Sequence, residues 1–373
     1  MSHSKSTADK SEFGYIWWPL TLLALGAILI YGNVLRTGFI LDDNNTIIHN
    51  VDIRSLGLLL QKWSRLSSRF MSRLTFQVNY SMGGFDPFIY HVTNLLIHYL
   101  TAVVVFFLTR FILRYSDSSL FAERSVFRAN GRVQNGFAFF VAALFLVHPI
   151  QTQAVAYITQ RDASLASLFY LLSLWFYAMD GHRLFSLKIV LSWVFFAFAI
   201  YSKLIALTLP AALILYEVCF KRLNAENIKR MFLRILPYMF LASLIFIANG
   251  FYVSKTKENF LPVAPREFSN LEYLFTQFNV LCTYIRLLFL PYNQNLDYDY
   301  PISRSLTEPN TIFAIVFLVI VFALGVWAYW KKRRLVAFGI FWFFITLSIE
   351  SSFIPLEDVI FEHRLYLPMF GFS

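Results

Sequence analysis

From the N-terminus onward, the chain is a series of long apolar runs separated by short polar stretches. A helix needs about 20 apolar residues to cross a bilayer. Such runs fall at 15–35, 92–113, 137–157, 164–180, 186–202, 204–220, 233–252, 311–330 and 335–350, with a less regular one at 273–290. Pro149, Pro210 and Pro237 interrupt some of them, which helix ends at a polar cavity tolerate. The pattern predicts an all-α polytopic membrane bundle. Residues 1–14 form a cytoplasmic tail, and 15–373 form one transmembrane domain.

Composition agrees. The chain is 58% hydrophobic, 19% aromatic and 14% charged, against roughly 25% charged residues in soluble domains. The net charge of +10 comes from basic residues lying between crossings, not from one basic domain. Nucleic acid is therefore not an expected partner; membrane lipid is. Cys219 and Cys282 lie in or beside apolar runs and give neither a disulfide framework nor a metal-ligand spacing. The first run is too long for a signal peptide core and has no small-residue cleavage site after it, so it reads as an uncleaved crossing.

Basic clusters mark the cytoplasmic side. They are Arg114/Arg124/Arg128/Arg132, Arg183/Lys188, Lys221/Arg222/Lys229/Arg230/Arg234 and Lys331/Lys332/Arg333/Arg334. Threading from a cytoplasmic N-terminus puts the loop with Asp42 and Asp43 outside. Arg286 within 273–290 is costly in lipid, so that segment is expected to re-enter or lie in the interface. Asp42/Asp43, His148 to Asp162, Lys203, Asp297/Asp299 and Glu362-His363-Arg364 then share the non-cytoplasmic face. A transporter or flippase would concentrate its polar groups at the midplane instead. In the first outer loop, Lys62, Arg65, Arg69 and Arg73 alternate with Leu58, Leu59, Leu60, Trp63, Leu66 and Phe70. This predicts an amphipathic interfacial helix, serving either as an anchor or as a holder of lipid phosphate.

Several segments carry a family resemblance. They are Arg69-Phe70-Met71-Ser72-Arg73, Gly83-Gly84-Phe85-Asp86, Tyr90-His91-Val92-Thr93-Asn94, His148-Pro149-Ile150-Gln151-Thr152-Gln153, Asn295-Leu296-Asp297-Tyr298-Asp299-Tyr300 and Glu362-His363-Arg364-Leu365. Together they resemble the membrane domain of the transmembrane and tetratricopeptide-repeat O-mannosyltransferases and their bacterial relatives. The resemblance implies a GT-C type glycosyltransferase. Such an enzyme moves a hexose, mannose in that family, from a polyprenyl-phosphate carrier to an acceptor hydroxyl on the non-cytoplasmic side. The implied acceptor is a protein serine or threonine, or a glycan, and the implied location is a bacterial inner membrane with the site facing the periplasm. There are departures from the pattern: family members usually have glutamate at Gln153 and at Leu204, and some have proline at Phe70. The chain also stops soon after Arg364 without helical repeats, so a truncated member or a separate repeat-containing partner is expected.

The chemistry asks for a base, a cation for the departing phosphate, and groups that hold the sugar. Asp42 or Asp43 is the expected base, and sequence does not separate them. Arg364 with His363, then Arg161 and Arg69, are the expected phosphate-binding groups, because guanidinium grips phosphate oxygens in pairs. Glu362, Asp297, Asp299, His148 and Lys203 are the expected sugar or acceptor contacts. The Asp297-Tyr298-Asp299 spacing allows a divalent metal as a weaker reading; the expected set has no cofactor. His91 and His98 are expected to bond helix to helix. His148 is equally well read as a cap, and Lys203 as a snorkelling side chain. A non-catalytic scaffold or partner subunit is the alternative from another class.

Overall fold

The computed structural model describes residues 3–63, 69–116, 118–121, 131–181, 183–222, 224–256, 268–352, 355–356 and 358–373. The described residues contain helices and no strands. The longer helices are α1 (His3–Tyr31), α2 (Leu56–Trp63), α3 (Phe70–Gly83), α4 (Pro87–Tyr115), α5 (Gly131–Val147), α6 (Thr152–Ala156) and α7 (Arg161–Met179). They continue as α8 (Leu187–Ile200), α9 (Leu209–Phe220), α10 (Ala225–Thr256), α11 (Asn270–Phe289), α12 (Pro309–Trp330), α13 (Arg334–Leu347) and α14 (Pro368–Phe372). Trp17–Arg36, Pro87–Tyr115, Ile158–Met179 and Pro309–Trp330 are long and apolar enough to cross a membrane. Gly131–Val147 and Pro149–Ala156 are long and apolar enough only when taken together, and they are bent by 52° where they meet. The predicted all-α, multi-pass membrane bundle is what the structure shows.

Local chemistry sets the helix ends. Asp86 accepts from the Phe88 N–H, and Pro87 opens α4 at the one position where its missing N–H costs nothing. Ser186 caps α8 in the same way. Ser269 and Glu272 form a reciprocal capping box on α11. The bend after α5 sits at Pro149, where the His148 ring accepts from the Ile150 N–H. The core is built where α4 lies against α5 and α7, and α7 against α8; α9, α12 and α14 close around α13.

Helix α1 begins at His3, so it includes most of the expected tail. Two expectations need correction. The amphipathic stretch is not one helix: α2 ends at Trp63 and α3 begins at Phe70, while Arg65 and Leu66 lie outside the described residues. The start of α3 is tied to the bundle, since the Met71 N–H donates to the Tyr201 carbonyl at 3.0 Å. The segment 273–290 falls in one unbroken helix, α11, so of the two expectations for it the re-entrant turn is not what forms; the Arg286 guanidinium reaches the Tyr292 carbonyl at 2.9 Å, just past the helix end.

Helix α11 instead runs alongside the segment that leads to Glu362. Tyr273 donates to the Glu350 carbonyl at 2.8 Å, Gln277 to Val359 at 2.9 Å and Tyr284 to Phe361 at 3.0 Å. Near its end, the Leu288 carbonyl accepts from His148 Nε2 at 3.0 Å.

Candidate active site

The acidic loop resolves its two carboxylates into different roles. Asp43 is 1% exposed, whereas Asp42 is exposed. One Asp43 oxygen accepts from the Thr159 N–H at 2.8 Å and the Thr159 hydroxyl at 2.5 Å; the other accepts from the Ile40 N–H at 3.1 Å. Burial nonetheless pushes the Asp43 carboxyl above its ordinary range. The Asp42 N–H donates to the Tyr157 hydroxyl at 2.8 Å, and the Asp42 carboxylate also acts on that phenol. Burial and the two nearby carboxylates push the Tyr157 phenol up, so it stays protonated. Leu41 sits at φ 43°, in the left-handed region that costs a branched residue about 1–3 kcal/mol. A π-helical turn, Asn44–Ile48, follows. Strain and a π-turn next to an exposed acid are frequent companions of functional sites.

Beside this loop lies a cluster of cations. Arg69 Nε pairs with Asp162 at 3.2 Å, and its side chain is 55% exposed. Lys203 Nζ pairs with Glu350 at 2.6 Å, and Glu350 is buried with its second oxygen unbonded. Arg69, Lys203 and Arg364 all act electrostatically on His363, and with burial they hold its imidazole well below the ordinary value. Asp43 and Asp162 both lie within electrostatic reach of the Arg161 guanidinium, which links the acidic loop to the cluster. The expected outer-face groups thus come together from the ends of α3, α7, α8 and α13.

A polar knot holds the last segment in place. Glu362 accepts from Gln294 Nε2 at 2.7 Å, the Asn295 N–H at 2.8 Å and the Tyr298 hydroxyl at 2.5 Å. Gln294 also donates to the Pro149 carbonyl at 3.1 Å. Gln153 Oε1 accepts from the His363 N–H at 2.7 Å and lies 3.1 Å from His363 Nδ1, while its Nε2 donates to the Leu296 carbonyl at 3.0 Å. The three segments that look separate in sequence are one hydrogen-bonded unit.

Some expected residues turn out to be engaged elsewhere. Arg161 is fully buried: Nε donates to Asn94 at 2.6 Å, Nη1 to Asn79 at 2.7 Å and Thr75 at 3.0 Å, and Nη2 to the Tyr90 carbonyl at 2.9 Å. It clamps α3, α4 and α7 and is not turned to an outside phosphate. Arg364 is buried too, and it donates to the Val359 carbonyl at 3.0 Å and the Asp358 carbonyl at 2.7 Å. That geometry folds its own loop. His148 bonds to Leu288 and caps the bend, so its polar atoms serve the fold. His98 links α4 to the Leu146 carbonyl of α5 and to Tyr366, as expected of a helix-bridging imidazole, whereas His91 meets Thr37, which lies outside any helix. Asp297 and Asp299 are both exposed. Among the described residues no group of three or more His, Cys, Asp or Glu side chains is placed to hold a metal ion.

Sequence reasoning missed Thr159, Tyr157, Tyr298 and Glu350. Glu350 had a visible signal, a carboxylate at the very end of an apolar run. It places a negative charge on Lys203, although Leu204 lacks the carboxylate that the family pattern carries. The Tyr298 hydroxyl serves Glu362.

A helical bundle of several crossings with a polar, charged site at one end defines a multi-pass integral membrane protein. Its curated relatives are O-mannosyl-transferases, in keeping with the resemblance. The chain is 32% identical to human Protein O-mannosyl-transferase TMTC1 over 41% of this chain and 17% of that protein. It is 29% identical to human Protein O-mannosyl-transferase TMTC4 over 42% of this chain and 22% of that protein. The match to Protein O-mannosyl-transferase F38B6.6 of Caenorhabditis elegans is 26% identical and covers 99% of this chain and 52% of that protein. The chain thus spans about half or less of the length of these relatives. No family model and no solved structure matches it.

Proposed function

We propose that the protein is a membrane glycosyltransferase. It moves a hexose, mannose by analogy with its relatives' names, from a polyprenyl-phosphate carrier to a protein serine or threonine hydroxyl. The reaction takes place on the non-cytoplasmic side, which is the periplasmic face in a bacterial inner membrane. The observation that carries this reading is the exposed Asp42 carboxylate, set by a buried Asp43 anchor beside the Arg69–Lys203 cluster.

In this reading Asp42 takes the proton of the acceptor hydroxyl. The hydroxyl oxygen bonds to the anomeric carbon as the carbon–oxygen bond to phosphate breaks, and polyprenyl phosphate leaves. Arg69 and Lys203 stabilise the charge growing on that phosphate, usually a large catalytic term. Asp43 and Arg364 hold the two loops, and Asp297 and Asp299 offer exposed carboxylates to sugar or acceptor hydroxyls. No step is routed through a metal. A separate repeat-containing protein fits as a partner that presents the acceptor.

The test is transfer by the purified protein with a panel of polyprenyl-phosphate sugars and a serine/threonine peptide. Asp42→Asn should lose at least about 100-fold in turnover, because an amide cannot take the proton, with melting temperature unchanged. Full activity in that variant removes Asp42 as the base. The second reading, a non-catalytic partner subunit, draws on Gln153 and Leu204 standing where relatives carry carboxylates. Donor binding without transfer by the wild-type protein would favour it.

A further inference from the structure

Gln153 is oriented without ambiguity. Its Oε1 faces a backbone N–H of His363, which can only donate, and its Nε2 faces the Leu296 carbonyl, which can only accept. The amide oxygen is therefore the atom that lies 3.1 Å from His363 Nδ1. An amide oxygen accepts and never donates. The ring must then carry its proton on Nδ1. Nε2 has no hydrogen-bond partner among the described residues. A second proton there is opposed by burial and by Lys203, Arg364 and Arg69. Phe361 packs on the ring at 5.0 Å between centroids and fixes its plane.

We infer that Gln153 is a positioning residue that holds His363 as the Nδ1–H tautomer, so that its Nε2 accepts a hydrogen bond from a hydroxyl of the donor hexose. The ring sits among the cations that would hold a lipid phosphate, and the group next to that phosphate in the donor is the sugar. An acceptor atom embedded in a cationic cluster discriminates between a hydroxyl, which can donate, and a phosphate oxygen, which cannot. Glutamate at position 153 would favour the imidazolium and turn Nε2 into a donor. The departure at Gln153 thus becomes a choice of ring charge. This role rests on the transferase reading; the tautomer does not.

The experiment uses the full-length chain in detergent, labelled with 15N-histidine, with His363 assigned by loss of its signals in His363→Asn. In the lipid-free wild type, Nδ1 should resonate as a protonated nitrogen and Nε2 as a bare one. Gln153→Glu should move both to the protonated type near neutral pH. A wild-type ring protonated on Nε2 overturns the tautomer. A short-chain polyprenyl-phosphate mannose should shift the Nε2 signal, and the same lipid phosphate without sugar should not. An equal response to both lipids overturns the hydroxyl contact. If neither lipid binds, the transferase reading fails together with the hydroxyl contact, while the lipid-free spectrum still decides the tautomer. Gln153→Glu should also raise the donor KM roughly tenfold, the size of one lost hydrogen bond with an unmatched partner.

Discussion

The two ends of α7 carry two ionic networks of opposite character. At its C-terminal end Arg234 is buried and donates to the Gly181 carbonyl at 2.6 Å, the Tyr177 carbonyl at 2.9 Å and Glu217 at 3.1 Å. Lys221 joins the same Glu217 at 3.3 Å, and Asp180 lies 4.0 Å from Arg234. Two cations face two carboxylates, and the Arg234 guanidinium also stacks 4.0 Å over Tyr177. At the N-terminal end the pairs Arg69–Asp162 and Lys203–Glu350 keep one member partly open, and Arg364 adds a further charge. The first network balances itself and locks helices. The second leaves Arg69 exposed and Lys203 half-buried. A buried charge cluster suggests a site only when its own members leave something uncompensated.

The largest expected effect breaks the closed end. Arg234→Ala takes the guanidinium from Asp180 and leaves Glu217 only Lys221 in the interior; it should cost about 3–5 kcal/mol, read as a lower melting temperature, with donor affinity per folded molecule unchanged. A loss of donor affinity would show the two ends to be one site. Arg364→Ala comes next, since its guanidinium bonds go to backbone carbonyls and strand no buried carboxylate, for a loss of about 1.5–3 kcal/mol. It should lower melting temperature and leave affinity per folded molecule intact; lost affinity at unchanged stability would return Arg364 to the phosphate. Arg69→Ala removes the exposed member of a pair whose Asp162 is buried, and should lower the melting temperature less than either of these. It should weaken donor binding roughly tenfold and reduce its salt dependence.

The smallest effect is a titration. His363 has a folded value below the ordinary 6.5, so the native state binds fewer protons than the unfolded chain. Stability should therefore fall as pH drops through 6.5 towards the folded value, and it should level off above that range. Replacing His363 by Asn should flatten part of that slope. An unchanged slope would mean that the ring is not held neutral.

Much of this was legible in the chain, for definite reasons. Apolar runs of bilayer length set the class, and polar islands such as Asp42-Asp43 and Glu362-His363-Arg364 stand out because charge is so scarce around them. What stayed hidden depends on partners far away in sequence. Asp42 and Asp43 are equivalent until Thr159, 116 residues on, takes one of them. Arg161 and Arg364 look like phosphate binders because guanidinium forks suit phosphate, but forks suit carbonyls and amide oxygens equally well. The balanced Arg234–Glu217–Lys221 cluster was read only as a marker of sidedness, since a basic stretch at a helix end satisfies that rule whether or not it is buried. The break between α2 and α3 escaped because helical spacing says nothing about anchoring to Tyr201.

Helix α7 is pinned at both poles, by Arg161 to α3 and α4 at one and by Arg234 and Lys221 at the other. A rod held at both ends can neither tilt nor slide without tearing charged bonds at one of them. In mechanical terms it is a stay, and any opening of the bundle must swing around it, on the timescale of loops and not of whole domains.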